Sequence, residues 1–241
     1  WSEIARAQTQ YRAHYDLYTM TESRAGYRSE LFAYARALVR AAQERARPNS
    51  ERLSGYTDSQ LPLLERQVLD QMPVHSALEE EALSFWLSKL REYLTVDAPQ
   101  ARAFLGTESP EALAARLAQS RLADPMVHKA LWEGGLKAVE ASDDPMIRFV
   151  LATDAVSRQT RKLWEDTVTG PVDRAAQRIA RARFAVYGDS TYPDATFSLR
   201  LTYGQVTGWT RADGTRVEPF TRYAGLWERA TGQFPYNLPK R

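Results

Sequence analysis

The 241-residue chain contains no cysteine and only three histidines, and it begins at Trp1 rather than methionine. Without cysteine there is no disulfide framework, no thiol nucleophile and no zinc site of the cysteine type. His14, His75 and His128 lie far apart in sequence and form no close-spaced ligand pair. Charge of one sign is also missing: 32 Lys and Arg against 30 Asp and Glu leave a net charge of +2. A general nucleic-acid binder needs an excess of basic groups to replace phosphate counterions, so that class is disfavoured. No apolar run approaches the roughly 18 residues of a membrane span. Nor does the first stretch, Trp1 to Arg6, have the basic, apolar and small-residue zones of a signal peptide. Either a leader has been removed or the chain is cut from a longer protein. The lack of cysteine fits a periplasmic or a cytoplasmic home equally well.

What is present is helical punctuation. Ser109-Pro110, Asp124-Pro125 and Asp144-Pro145 share one form, a capping side chain followed by a proline with no N–H to leave unsatisfied. Ser76 with Glu79 reads as a capping box. Asp58 reads as the cap of the stretch that follows it, and Gly106 sits where a helix end favours a left-handed residue. Apolar residues recur at helical spacing: Tyr27, Leu31, Tyr34, Leu38 and Ala42; then Leu61, Leu64, Val68 and Met72; then Leu83, Trp86 or Leu87, Leu90 and Leu94. A fourth stripe runs from Ile147, Val150 and Leu151 through Leu163, Trp164, Val172, Ala176 and Ile179 to Phe184. Gly170-Pro171 is expected to kink or split this last helix. The coarse reading is two long helices over 2–46, shorter helices between 50 and 141, and a helical stretch over 145–184.

The period then changes. From Ala195 to Tyr203, Phe197, Leu199, Leu201 and Tyr203 alternate with polar residues, the pattern of a half-buried strand. Asp213-Gly214 reads as a hairpin turn, and a short helix is expected from about Arg222 to Thr231, ending at Gly232. One strand and one hairpin cannot bury their own edges. The fold class is therefore mainly α, a helical domain over 1–184, with a short β-segment over 185–241 that is an incomplete part of a β-domain.

No site residue emerges from the pattern. No serine occupies a Gly-x-Ser-x-Gly turn, and Ser54-Gly55 is a weak pair. His14 lies among Tyr11, Tyr15 and Tyr18 and reads as a surface or packing residue, His75 as a loop residue, and His128 as part of a helical first turn. Glu79-Glu80-Glu81 suits the first turn of a helix, where the dipole favours negative charge, and reads as a solvated face. Asp143-Asp144 and Glu165-Asp166 read as cap and surface. Arg45, Arg47 and the arginines from Arg178 to Arg183 read as salt-bridging faces or as a contact surface for a partner domain. There is no Gly-rich phosphate loop, dinucleotide fingerprint or metal-spaced pair.

Residues 192–204 read Tyr-Pro-Asp-Ala-Thr-Phe-Ser-Leu-Arg-Leu-Thr-Tyr-Gly. This segment resembles one in the bacterial serine dipeptidyl-peptidases of family 46, the dipeptidyl aminopeptidase BII type with dipeptidyl-peptidases seven and eleven. Similar segments follow the family's order: 29–32 (Ser-Glu-Leu-Phe), 38–40 (Leu-Val-Arg), 48–53 (Pro-Asn-Ser-Glu-Arg-Leu), 144–147 (Asp-Pro-Met-Ile) and 182–188 (Ala-Arg-Phe-Ala-Val-Tyr-Gly). The resemblance implies a parent with a chymotrypsin-like double β-barrel and an inserted helical domain that caps the cleft and limits the enzyme to removing dipeptides from free N-termini. It implies that the His and Asp of the triad precede this insert. The Ser follows it in a Gly-Asn-Ser-Gly-Ser-Pro motif, beyond Lys240-Arg241. On this reading the chain alone is inactive and holds no catalytic, cofactor-binding or metal-binding residue. Its partners are the peptide substrate and the remaining barrel domains of the same protein. The family also suggests a periplasmic or secreted protein, and a homodimer formed through a part of the parent outside this chain. The alternatives are a non-catalytic helical interaction module and a degenerate peptidase homologue.

Overall fold

The computed structural model describes residues 1–70, 73–190 and 201–238. The chain divides into two compact units, Trp1–Asp189 and Ser190–Arg241. About 70% of it is helical, with one small two-stranded sheet, so the mainly α reading holds.

In the first unit the helices are α1 (Ser2–Tyr18), α2 (Glu30–Arg45), α3 (Leu61–Leu69), α4 (Ser76–Leu94), α5 (Pro99–Leu105), α6 (Pro110–Leu117), α7 (Pro125–Ala141), α8 (Pro145–Trp164) and α9 (Gly170–Tyr187). The three capped prolines start α6, α7 and α8 as the sequence predicts. Ser109 Oγ accepts from Ala112 N at 3.1 Å, and Asp124 Oδ1 from Met126 N at 2.9 Å. Asp144 Oδ1 accepts from Met146 N and Ile147 N at 2.9 and 3.2 Å. Gly106 ends α5 with φ of 58° and ψ of −125°, a positive-φ backbone that favours glycine but not the left-handed helical cap expected from the sequence.

The core sits where α2, α4, α6 and α8 meet. It is built from Leu31, Phe32, Leu38 and Val39 of α2, Leu83, Trp86, Leu87 and Leu90 of α4, Leu113 and Leu117 of α6, and Met146, Ile147 and Val150 of α8, all almost fully buried. Three predicted stripes therefore supply the core. Tyr27 is an exception: it precedes α2 with positive φ and is exposed. Met72 lies outside the described residues. Gly26 turns the chain into α2 with φ of 75°, and a Cβ there would come within 2.2 Å of the Phe32 ring. Only glycine fits that approach.

Two cap assignments are corrected. Asp58 does not cap α3, whose N-cap is Gln60; the Asp58 carboxylate instead accepts from Arg52 at 2.6 Å. Ser76 is already inside α4, whose N-cap is His75, so Ser76 and Glu79 form no capping box. Nor is Glu79 solvated. It is buried, and its carboxylate accepts from Ser29 Oγ (2.6 Å), Glu30 N (3.1 Å) and Leu31 N (3.2 Å) at the start of α2. Three donors and the positive end of a neighbouring helix outbid the single N–H that a capping box would offer.

Two π-helical turns interrupt the long helices. Thr19–Ser23 follows α1, and Glu165–Thr169 joins α8 to α9. Tyr18 and Trp164, the residues just before each turn, stack with ring centroids 4.3 Å apart and planes 6° apart. Gly170-Pro171 therefore does not split the helix. The wide turn absorbs the hydrogen bond that Pro171 cannot make. Gly170 is needed there because a Cβ would lie 2.7 Å from the Glu165 carbonyl oxygen.

The fourth stripe buries Ile147, Val150 and Trp164 but fails beyond Ala175. Arg178 pairs with Glu3, which sets α9 antiparallel to α1 with residue 178 beside residue 3. The rest of α9 thus runs past the first residue of α1, and Phe184, Val186 and Tyr187 are exposed.

In the second unit, β1 (Trp209–Thr210) and β2 (Arg216–Val217) pair antiparallel, Trp209 opposite Val217 and Thr210 opposite Arg216. Asp213 Oδ1 accepts from Thr215 N at 2.9 Å and Gly214 has φ of 83°, so the predicted turn is present. The predicted strand at 195–203 falls mostly outside the described residues; Leu201–Tyr203, which are described, join no ladder. Helix α10 (Ala224–Glu228) is shorter than predicted. Thr231 N bonds the Tyr236 carbonyl at 3.0 Å and turns the chain away from a helical course.

Candidate functional site

The densest cluster of chemistry lies between the first π-turn, α2 and α8, and it is ionic. Arg40 of α2 is buried. Its Nη1 and Nη2 donate to Glu22 Oε1 and Oε2 at 2.8 and 2.6 Å, and its Nε donates to Asp154 Oδ1 at 2.6 Å. Arg158, one turn beyond Asp154 on α8, donates through Nε to Asp154 Oδ2 at 2.6 Å and through Nη1 to Glu44 Oε1 at 2.5 Å. Its Nη2 reaches Gln43 at 3.0 Å. The other Glu44 oxygen accepts from Leu53 N at 2.8 Å, which ties in the loop after α2. Arg36 Nη1 donates to the Glu22 carbonyl at 2.7 Å, and Ser157 Oγ to the Thr21 carbonyl at 2.7 Å. The π-turn is what makes this possible, because its wider ring carries Thr21 and Glu22 inward between α2 and α8.

The local electrostatics follow from that packing. Burial alone pulls the Arg40 guanidinium down, but the hydrogen bond to Glu22 and the charges of Asp154 and Glu22 reverse this and raise it. Arg158 is raised on the same balance, against burial, by Asp154 and Glu44. Burial, with Arg40 adding like charge, lowers Arg36. Burial pushes Glu44 up, yet the Leu53 N–H and Arg158 outweigh it and hold the carboxyl below its usual range. Among the described residues every buried side-chain polar atom has a partner. A saturated cluster of this kind has no free group with which to accept or donate a proton. It works as a clamp that fixes α2, α8 and the end of α1 in one arrangement.

Glu44 makes the clamp acid-sensitive. A carboxyl lowered in the folded state stabilises fully above its unfolded value, and that stabilisation is lost as pH falls through the folded value. Glu44→Gln should therefore unfold at lower temperature than the wild type near about pH 7, and the gap should narrow by about pH 3. Thermal unfolding followed by circular dichroism checks this; a gap independent of pH would contradict it.

The residues weighed from the sequence are dispersed. His14 faces Gln10 at 3.1 Å on the surface of α1, and His75 stands at the N-cap position of α4 without a side-chain capping bond. His128 is buried, with its ring nitrogens 3.0 Å from the Val68 carbonyl and 2.5 Å from the Leu122 carbonyl. Asp144 is a buried cap that also accepts from Ser120 Oγ and Arg121 N, while Asp143 pairs with Arg121 at the surface. Glu165 and Asp166 form i,i+4 pairs with Arg161 and Lys162. Arg45 lies over the Trp132 ring at 4.5 Å and donates to the Trp132 carbonyl. Among the described residues, no group of three or more His, Asp or Glu is placed to hold a metal ion, and no helix is long and apolar enough to cross a membrane.

Sequence reasoning missed the clamp. Its one local signal is Arg36 and Arg40, spaced i,i+4 within residues 31–42 of α2, which are otherwise Leu, Phe, Ala, Tyr and Val. Such a helix is apolar all round and so central, which makes its arginines buried ones.

Fold and cluster together define a helical domain with a saturated ionic centre. The model of peptidase family S46 matches residues 1–241, and the chain belongs to that family. It is 26% identical over 246 residues to an Asp/Glu-specific dipeptidyl-peptidase of Shewanella putrefaciens, covering 99% of this chain and 33% of that protein. It is 30% identical over 128 residues to an Asp/Glu-specific dipeptidyl-peptidase of Flavobacterium psychrophilum, covering 51% of this chain and 18% of that one. The chain thus spans about a third of the length of the first relative and matches less of the second.

Proposed function

We propose that these residues are the helical cap, with a following piece of β-barrel, of a serine dipeptidyl-peptidase that releases dipeptides from peptide N-termini. The observation that carries this reading is the family match along all 241 residues. The triad is placed outside the chain. In the parent, Ser attacks the carbonyl, His takes the proton and Asp orients the His. The cap narrows the cleft so that only a free N-terminus enters, and it excludes water from the bound peptide. Several features support a cap role. The clamp makes the helical unit stiff, and the exposed Phe184, Val186 and Tyr187 at the end of α9 offer an apolar surface to the rest of the parent. The 185–241 segment is the start of the second barrel. A periplasmic or secreted location and a homodimeric parent complete the proposal. The Asp/Glu specificity for which the two relatives are named makes peptides with Asp or Glu the first substrates to test.

The test uses the full-length parent, this chain, and a parent whose helical unit is replaced by a short linker, on dipeptidyl fluorogenic substrates and N-blocked peptides. The parent should release dipeptides, the chain alone should be inactive, and the linker variant should begin to cut N-blocked peptides. An inactive parent would leave the helical interaction module as the better reading. Activity in this chain alone would place the triad wrongly.

A further inference from the structure

Along the side where α1 and α9 run antiparallel lies a groove of about 560 Å³, within the size range of ligand sites. Its walls carry Glu3, Arg6 and Gln10 from α1 and Pro171, Arg174 and Arg178 from α9. The buried Ala7 forms part of its floor. The charges in it are not balanced. Glu3 is engaged by Arg178. Arg6 and Arg174 have no anionic partner among the described residues, and Glu3 is the one carboxylate among the residues that line the groove, so the groove carries a net positive charge. Two unneutralised guanidiniums thus line one concave space from facing helices.

The geometry points to a binding site for a carboxylate-bearing peptide segment, held on Arg6 and Arg174. A guanidinium presents a planar fork of donors that matches a carboxylate in bidentate fashion. Two of them on opposite walls suit a segment with more than one acidic side chain. The Gln10 amide can hydrogen-bond a peptide backbone, and Ala7 and Pro171 provide a small apolar floor for its Cα and Cβ atoms. A peptide rather than a free anion is favoured because the lining extends beyond the two arginines, and because the proposed peptidase activity, on which this inference rests, brings peptides to the domain.

The chain itself serves for the experiment. A capped tetrapeptide of glutamates, the matching glutamine peptide and inorganic phosphate are titrated calorimetrically into wild type and into Arg6→Gln and Arg174→Gln, at low and high salt. The glutamate peptide should bind saturably, more weakly at high salt, and each substitution should weaken it about tenfold, the scale of one charge-assisted hydrogen bond. Both arginines are exposed, so unchanged helicity by circular dichroism shows that the variants remain folded. Equal binding of the glutamine peptide, indifference to both substitutions, or no saturable binding would overturn the site. Phosphate binding as tightly as the peptide would overturn its assignment to peptides. Dipeptide release by the parent is read separately, so loss of the groove and loss of the peptidase reading give different results.

Discussion

Replacing Arg40 with alanine should destabilise the helical unit by about 3–5 kcal/mol, the range found when one partner of a buried ion pair is removed. The reason is what remains. Glu22 and Asp154 would keep their charges at side-chain exposures of 7% and 3%, and three hydrogen bonds of 2.6–2.8 Å would be gone. Arg40→Lys should recover only part of the loss, because an ammonium cannot grip Glu22 with two parallel bonds and still reach Asp154. A triple variant, Arg40→Met with Glu22→Gln and Asp154→Asn, should lie above the alanine variant, since it also removes the two buried carboxylate charges that would keep only Arg161 at 3.7 Å (Glu22) and Arg158 at 2.6 Å (Asp154) as partners. Urea unfolding followed at the helical circular dichroism band checks all three. A loss below about 1 kcal/mol for Arg40→Ala, the level of an exposed pair, would show that water reaches the cluster.

The parts of the fold that were legible in the sequence are those fixed by local physics. A cap side chain before a proline determines its own helix start, which is why Ser109, Asp124 and Asp144 cap where their spacing indicates. Stripes at three and four residues show which faces of α2, α4 and α8 are buried. Glu79 marks the limit of this reasoning. In sequence it is the first of three glutamates at a helix start, identical in kind to solvated Glu80 and Glu81, and its role comes from Ser29 to Leu31, roughly fifty positions earlier. The clamp is legible to the same limited degree. Arg40 meets Glu22 18 residues away and Asp154 114 residues away, and neither separation leaves a periodic trace. The π-turns leave none either. Thr19–Ser23 and Glu165–Thr169 contain no Gly or Pro, and their wide rings depend on what packs around them. Phe184 shows the reverse failure, a helical stripe that continues where the described α9 has no α1 left beside it.

Trp86 carries the other large effect, and it bears on the same π-turn through Met20. Its ring is 1% exposed and lies 5.0 Å from Phe32 of α2, with edge-on contacts to Phe104 of α5 at 5.8 Å and Phe149 of α8 at 6.2 Å. Its indole Nε1 donates to the Met20 carbonyl in the first π-turn at 2.9 Å. Trp86→Ala should cost about 3–5 kcal/mol, because four helices converge on the cavity it would leave and none can collapse alone. Trp86→Phe keeps most of the apolar ring and should cost about 1–2 kcal/mol, largely the lost hydrogen bond to Met20. The π-turn is then held by three grips: Arg36 and Arg40 through Glu22, Ser157 through Thr21, and Trp86 through Met20. If the turn acts as one element, Trp86→Phe and Glu22→Gln should be non-additive by at least about 0.5 kcal/mol in a double-mutant cycle, with the second substitution costing less once the first has loosened the turn. Strict additivity, with amide hydrogen exchange in 19–23 unchanged by either substitution, would mean that the turn is held by its own backbone and that the clamp and the aromatic core stabilise the unit independently.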